Sequence, residues 1–360
     1  MRILILANDA VGLYQFRSEL IEELLINNTV YISSPNGEMI RKLEKMGCEY
    51  IETSIDRRGI NPKTDLKLLK KYICIVKELK PDLVITYTVK PNIYGGLACS
   101  LLKTKYAVNI TGLGTAFEKQ GLLRKIVVTL YKLSSRNAKI VFFENEENRQ
   151  IFISEGIVKE EKTHRLNGAG VNLDKYQLSE YPDGEITKFL FMGRIMAEKG
   201  IDELLNSMKR LIADGEKCEL HVVGTFEEDY KYLIEKYQKE GWLIYHGYQK
   251  DVRPFIKESH CFVLPSWHEG MANTNLESAA SGRPVITTNI HGCLEAVIDG
   301  KTGYLVEKKN SDDLYKTMKK FIRLPYETKR EMGLKGREHM ENVFDKKKVI
   351  EDTLKGLGVH

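Results

Sequence analysis

Short apolar runs, each closed by a polar turn, recur along this chain. Between them lie stretches whose apolar positions fall three and four residues apart. Arg2-Ile3-Leu4-Ile5-Leu6-Ala7 is the first run, continuous enough to predict a strand buried on both faces. A turn at Gly12 and a helix through Leu25 follow. Thr29 to Ser33 reads as the next strand and Glu38 to Met46 as the next helix. Leu83 to Tyr87, Tyr106 to Ile110 and Ile140 to Phe143 are further strands. Alternation of this kind predicts an α/β fold, a parallel sheet with helices on both faces.

The second half repeats the pattern. Phe189 to Gly193 predicts a strand, Ile201 to Ala213 a helix, and Glu219 to Val223 a strand ending at Gly224. Cys261 to Leu264 and Pro284 to Thr287 are two more strands. Between the halves, Asn172 to Thr187 is polar and contains Pro182, Asp183 and Gly184, so it is the natural linker. A chain of 360 residues suits two domains. The boundaries fall at 1–172 and 186–344, with a last helix in 345–360, around Lys346 to Leu357, packing back on the first. Open parallel sheets bind ligands beyond the carboxyl ends of their strands, so chemistry is expected in the loops that follow strands.

Composition changes this picture little. No window is long and apolar enough for a transmembrane helix, and the first run stops at Asn8-Asp9, too early for a signal peptide. A cytoplasmic protein is expected. Cys48, Cys74, Cys99, Cys218, Cys261 and Cys293 are scattered, without the paired spacing of a disulfide framework or zinc site, and read as buried thiols. Charge is uneven. Residues 1–175 carry 27 Lys and Arg against 20 Asp and Glu, a net of +7, while the remainder carries 28 against 30, a net of −2. That excess suits a phosphorylated substrate or an anionic membrane face. With no basic-aromatic stripe or recognised module, it does not point to nucleic acid.

Two constellations carry the chemistry. The first is Pro265-Ser266-Trp267-His268-Glu269-Gly270-Met271-Ala272-Asn273-Thr274-Asn275-Leu276-Glu277, which follows a strand and enters a helix expected over Asn275 to Ser281. Gly270 lets the backbone turn closely around a ligand, and the next amides open a helix N-terminus that favours phosphate. Glu269 and Glu277 then supply carboxylates for sugar and ribose hydroxyls. Thr274-Asn275-Leu276-Glu277 also fits a capping box, in which Glu277 merely bonds the N-cap amide. Glu269 by itself fits a solvated loop carboxylate. The second constellation is Gly193-Arg194-Ile195-Met196-Ala197-Glu198-Lys199-Gly200, again between a strand and a helix. Arg194 offers a flat fork of donors and Lys199 a mobile charge, together able to neutralise a departing diphosphate. The plainer alternative makes Glu198 and Lys199 first-turn surface charges and pairs Arg194 with a nearby carboxylate.

Gly193-Arg194, then Glu198-Lys199-Gly200, then Glu269 and Glu277 in an E-x7-E spacing resemble the retaining GT-B glycosyltransferases of family 4. Gly247-Tyr248-Gln249-Lys250-Asp251-Val252 and Ala280-Ser281-Gly282-Arg283-Pro284-Val285-Ile286 extend the likeness to that family's nucleotide-binding domain. The chain is most similar to bacterial enzymes that build capsule, O-antigen or exopolysaccharide units. The resemblance implies two Rossmann-like domains facing a central cleft. It also implies transfer of a hexose or N-acetylhexosamine from a nucleotide sugar, UDP-linked, to a glycan or lipid-diphosphate-linked acceptor. Arg194, Lys199 and Glu269 would be catalytic, the first two on the diphosphate and Glu269 on the donor sugar. Gly270, Met271, Ala272, Asn273, Thr274, Asn275 and Leu276 would form the donor turn and Glu277 would hold the ribose. The base would lie near Gly224-Thr225-Phe226 and Gly247-Tyr248, with Gly193 alongside. Gly12 would let the domains close on the donor phosphates, although Asp9-Ala10-Val11-Gly12 is poorer in glycine than the family's usual loop. Many relatives place a histidine after a middle strand of the first domain. Here Asn109-Ile110-Thr111-Gly112-Leu113-Gly114-Thr115 has none, leaving Asn109 or Thr111 to bond the sugar. No cofactor is implied.

The stretch 122–139, with Leu122, Leu123, Arg124, Lys125, Ile126, Lys132, Arg136 and Lys139, is a basic helix rich in apolar residues. It suits an anionic membrane surface, which would place the protein peripherally on the inner face of the cell membrane. It equally suits a core-packed helix with a solvated basic edge. Gly300-Lys301-Thr302 lacks the upstream glycine of a phosphate loop, and no Asp-x-Asp occurs, so no catalytic metal is expected. A UDP-sugar 2-epimerase would share the architecture but should carry histidine and acidic groups for proton abstraction. A two-lobed sugar-binding protein would leave the clustered diphosphate-binding charges unexplained.

Overall fold

The computed structural model describes residues 1–56, 61–113, 117 and 121–359. Gly114 and Thr115 of the histidine-free loop lie outside these. The chain forms two compact units, Met1–Ala169 with Val349–His360, and Gly170–Lys348.

The first unit holds strands β1 (Arg2–Leu6), β2 (Thr29–Ser34), β3 (Glu49–Glu52), β4 (Leu83–Tyr87), β5 (Tyr106–Ile110), β6 (Ile140–Phe143) and β7 (Thr163–Arg165). All pair in parallel, in the order β3-β2-β1-β4-β5-β6-β7, with Ile5 opposite Ile32 on one side and Ile85 on the other. Side chains alternate between two cores, as period-2 geometry requires. Ile3, Ile5, Ile32 and Ile85 meet the helix Ala10–Asn27, while Leu4, Leu6, Val84 and Val108 meet the helices Pro62–Leu79 and Leu122–Ser135. Each such apolar side chain contributes roughly 1.5–3 kcal/mol by leaving water. The last helix, Lys346–Leu357, joins this unit from Val349 onward. There Lys139 Nζ donates to Leu357 O at 2.6 Å, and His164 bonds Asp352 at 2.8 Å.

The second unit holds β8 (Thr187–Met192), β9 (Cys218–Val223), β10 (Leu243–Tyr245), β11 (Cys261–Leu264), β12 (Val285–Thr288) and β13 (Gly303–Val306), parallel in the order β10-β9-β8-β11-β12-β13. The polar stretch 172–187 is clasped to this unit by Arg283, a fully buried guanidinium. It donates to Ser179 O, Glu180 O, Lys257 O and Ile256 O at 2.7–3.1 Å.

Several elements differ from the sequence reading. No turn sits at Gly12. The helix already starts at Ala10, because Asp9 caps it and accepts the Gly12 amide at 2.7 Å. The second helix is shorter, Ile40–Lys45. The helix after Met271 starts two residues early, Asn273–Ala280. Strands β3, β7, β10 and β13, three or four residues each, were not expected. Five cysteines are buried as expected, but Cys74 is exposed.

Candidate functional site

Strand order in the second sheet reverses between β8 and β11, and the two constellations are the loops that leave these strands. A switch point of this kind leaves a crevice at the carboxyl edge, with no crossover helix to fill it.

Gly200 brings the two loops together. Its φ is +72°, and a Cβ there would stand 2.0 Å from Pro265 O, so no other residue fits. Ser266 Oγ and the Trp267 amide both donate to Glu198 O, at 3.1 and 2.8 Å. Across this seam Lys199 Nζ is bonded to Glu269 Oε1, with both side chains less than a fifth exposed. The two are therefore neither free surface charges nor solvated loop groups. An ammonium has three donors and a carboxylate several acceptor positions, so each keeps capacity for a ligand. Arg194 is half exposed, with Glu227 at the 4.0 Å limit of pairing, and is the more available cation.

Glu277 lies in the fifth position of Asn273–Ala280, whose N-cap residue is Ala272 and whose cap has no side-chain bond. The capping-box reading therefore fails on geometry. The half-buried Glu277 carboxyl is pushed up to about 7 by burial, against the lowering effects of the Tyr176 hydroxyl, Lys175 and Lys346. Its hydrogen-bonded neighbour is Tyr176, buried within the clasped stretch. The helix entry is firmly held. Ala272 N donates to Gly292 O at 2.7 Å, and Asn275 Nδ2 to Thr287 Oγ1 at 3.1 Å. Met271, Ala272, Asn275 and Leu276 are buried, while Asn273 and Thr274 are half-buried beside Gly270 at the mouth.

The loops after β9 and β10 complete this edge. Gly224, at φ +151°, abuts Gly193 so closely that a Cβ would come 1.8 Å from Gly193 O. The Gly224 amide donates to Gly247 O at 2.9 Å, which sets Tyr248, 59% exposed, beside Gly224-Thr225-Phe226. Thus Gly193, Arg194, Lys199, Gly224, Tyr248, Glu269 and the 270–277 turn occupy one edge of one sheet.

Gly12, Asn109 and Thr111 belong to the other unit. The Gly12 amide is already taken by Asp9. Asn109 is committed within the sheet, since its Nδ2 donates to Thr86 O at 3.2 Å and its carbonyl accepts from Asn92 Nδ2 at 2.8 Å. One side-chain donor and the backbone carbonyl of Asn109 are thus spent within the sheet. Thr111 is half-buried at the end of β5. Two residues without a role in the sequence reading stand in the second unit's site. Tyr176 touches Glu277, and Trp267 bonds Glu203 Oε1 at 3.2 Å beneath Lys309, whose Nζ lies 4.0 Å from the ring centre. Trp267, one of only two tryptophans, was at least visible inside the motif.

Comparison with known proteins agrees with this geometry. Residues 179–339 match the family model for glycosyl transferases group 1, and residues 2–145 that for glycosyl transferase 4-like proteins. The chain is 28% identical over 333 residues to the N,N'-diacetylbacillosaminyl-diphospho-undecaprenol alpha-1,3-N-acetylgalactosaminyltransferase of Campylobacter jejuni, covering 87% of each protein. It is 28% identical over 344 residues to the capsular polysaccharide biosynthesis glycosyltransferase CapM of Staphylococcus aureus, covering 91% of this chain and 88% of the relative. In fold it is similar to Anabaena Alr3699/HepE solved with UDP and glucose. The TM-score is 0.82 at 15% identity, over 99% of both chains. A glycosyltransferase from Rickettsia africae gives a TM-score of 0.79 at 20% identity, over 99% of this chain and 97% of the other. With family models matched in both halves and the motif loops gathered at one switch point, this chain belongs to the GT-B glycosyltransferases of the group-1, family 4-like kind.

Proposed function

We propose that the protein transfers a hexose or N-acetylhexosamine, with retention, from a UDP-sugar to a lipid-diphosphate-linked glycan in bacterial surface-polysaccharide synthesis. The carrying observation is the Lys199–Glu269 pair beside Glu277 at the β8–β11 switch point. Relatives whose names specify diphospho-undecaprenol acceptors support the acceptor class, and the UDP complexes of the Anabaena neighbour support the nucleotide.

In this reading the donor diphosphate lies against Arg194, Lys199 and the first amides of Asn273–Ala280, where the helix dipole favours negative charge. Glu277 accepts ribose hydroxyls, Glu269 accepts from the donor sugar, and the base rests between Phe226 and Tyr248. The sugar C1–O bond to the diphosphate breaks as C1 bonds the acceptor oxygen on the same face. The acceptor's proton passes to the departing phosphate oxygen. Catalysis is then positioning plus charge stabilisation by Arg194 and Lys199, with no resident cofactor or metal.

The membrane partner belongs to the same proposal. The helix Leu122–Ser135 buries Val128, Tyr131, Ser134 and Ser135 and exposes Leu122, Ile126 and Leu133 alongside Lys125 and Lys132. One face is core and the other suits an anionic interface.

Thermal melting with UDP, GDP and their sugar conjugates tests the donor site. A ligand at about 100 times its Kd adds roughly 2.7 kcal/mol to the native state. UDP or a UDP-sugar should raise the Tm of the wild type and do so much less in Glu277→Gln and Lys199→Ala. No rise with any nucleotide sinks the reading.

A further inference from the structure

The Lys199–Glu269 pair has a second, deeper rung behind it across the same seam. Four residues after Lys199, in the first turn of the helix Ile201–Ala213, stands Glu203. Its Oε1 accepts the Trp267 Nε1–H at 3.2 Å, two residues before Glu269 on the facing loop. The loop backbone is tied down here by other bonds. Ser266 Oγ and the Trp267 amide donate to Glu198 O, and Thr288 Oγ1 donates to Ser266 O at 2.5 Å. Glu203 adds a hold on the indole itself.

A carboxylate is a costly side chain for this place. Glu203 is 8% exposed, on a helix whose Ile201, Leu204 and Met208 are fully buried. Its Oε2 is buried and bonds no other residue among those described. Burial pushes the carboxyl up, against its own amide, the Trp267 N–H and Lys309. Leucine would fill the volume without burying a half-satisfied charge. Such a group, bonded to a loop of the donor site, marks a residue kept for geometry rather than for stability.

Lys309 completes the arrangement from a third element. It stands at φ +60° in the turn after β13, and its Nζ lies 4.0 Å from the Trp267 ring centre. A cation on the ring face draws electron density from it and makes the N–H a stronger donor toward Glu203. The indole is thus fixed at its edge by a carboxylate and on its face by an ammonium, and the short span to Glu269 is held with it.

We propose that Glu203 is a positioning residue: through the Trp267 indole it holds the 266–269 loop so that Glu269 meets the donor sugar beside Lys199. This role rests on the transferase reading and adds to it the support of the donor-sugar contact.

Fluorine NMR on the full-length protein labelled with 5-fluorotryptophan tests the hold. Only Trp242 and Trp267 give signals, and Trp267→Phe assigns them. Without ligand, Glu203→Leu should shift or broaden the Trp267 signal. The Trp242 signal, from an indole bonded to Glu240 at 3.0 Å, should stay in place and report an intact fold. Glu203→Gln, which keeps an acceptor oxygen, should restore the Trp267 signal.

Calorimetric titration with UDP, UDP-glucose, UDP-galactose and their N-acetylated counterparts tests the consequence. For the sugar nucleotide that the wild type binds most tightly, Glu203→Leu should weaken affinity by roughly tenfold, the loss of one hydrogen bond, and change UDP affinity by less than about twofold. Trp267→Phe should match it, and the double variant should lose no more than either single one. Glu203→Gln should recover most of the affinity. An unmoved Trp267 signal, equal losses for UDP and sugar nucleotide, no loss for either, additive losses, or a glutamine variant as weak as leucine would each overturn the proposal. A wild type that binds neither UDP nor any sugar nucleotide sinks the transferase reading and this role with it, while the fluorine signals still show whether Glu203 holds the indole.

Discussion

Glu277 and His260 impose opposite pH dependences on the second unit. The Glu277 carboxyl, lifted by burial from 4.5 to about 7, keeps a proton in the folded state that the unfolded chain gives up above pH 4.5. Its contribution to stability is present below that pH and is lost as pH rises through 7, worth at most about 3 kcal/mol. His260 is held down at about 4 by burial and by the nearby Lys329, Lys188 and Arg283, and its neutral Nδ1 accepts the Lys188 amide at 3.1 Å. The unfolded imidazole takes a proton below 6.5, so this term is full above 6.5 and is lost as pH falls toward 4. Glu277→Gln should therefore melt higher than the wild type by a margin that grows from pH 5 to pH 8, while binding nucleotide less well. A margin that stays flat with pH would show that the carboxyl titrates normally. At this scale the E-x7-E spacing made Glu269 and Glu277 legible, because a motif is local. Tyr176 was not, since its partner lies 101 positions away and only the folded path of 172–187 brings them together.

Among elements, those buried on both faces were the legible ones. β4, β5, β6 and β11 are short apolar runs, and their observed limits match the predicted ones. β3, β7, β10 and β13 escaped because they are outer or near-outer strands of three or four residues, several with charged or polar members such as Glu49, Glu52 and Arg165. The Asn172 to Thr187 stretch was polar for another reason, since its carbonyls serve a buried cation. Arg283→Met should expose this dependence. It leaves Ser179 O, Glu180 O and Lys257 O buried without their donor, and urea unfolding should show a loss of about 3–5 kcal/mol. Arg283→Lys should recover only part, because one ammonium cannot span the same fork of acceptors. A loss under 1 kcal/mol would mean that the clasp is incidental.

For the whole molecule, repeated strand-helix alternation was enough to give two parallel sheets, because that pattern admits few other architectures. The two switch points were not readable from residues alone, as strand order depends on pairing rather than on any local signal. Charge asymmetry is also a property of the whole chain, with all the excess positive charge in 1–175. Among the described residues no helix is long and apolar enough to cross a membrane. The proposed attachment through Leu122–Ser135 rests on charge and would be sensitive to salt. Reversing Lys125, Lys132 and Arg136 to glutamate should abolish binding to phosphatidylglycerol vesicles at low salt and leave UDP binding intact. Unchanged vesicle binding would remove the membrane from the proposal.

The return of the chain from Val349 onward to the unit it left at Ala169 has a temporal meaning. Gly170–Lys348 is one uninterrupted piece of sequence, whereas the core of the first unit is not closed by Met1–Ala169 alone: the surface around Phe142, His164 and Lys139 is covered only once the helix from Val349 onward has been made. The half made first is completed last, and during synthesis its unfinished flank is where a chaperone would hold it.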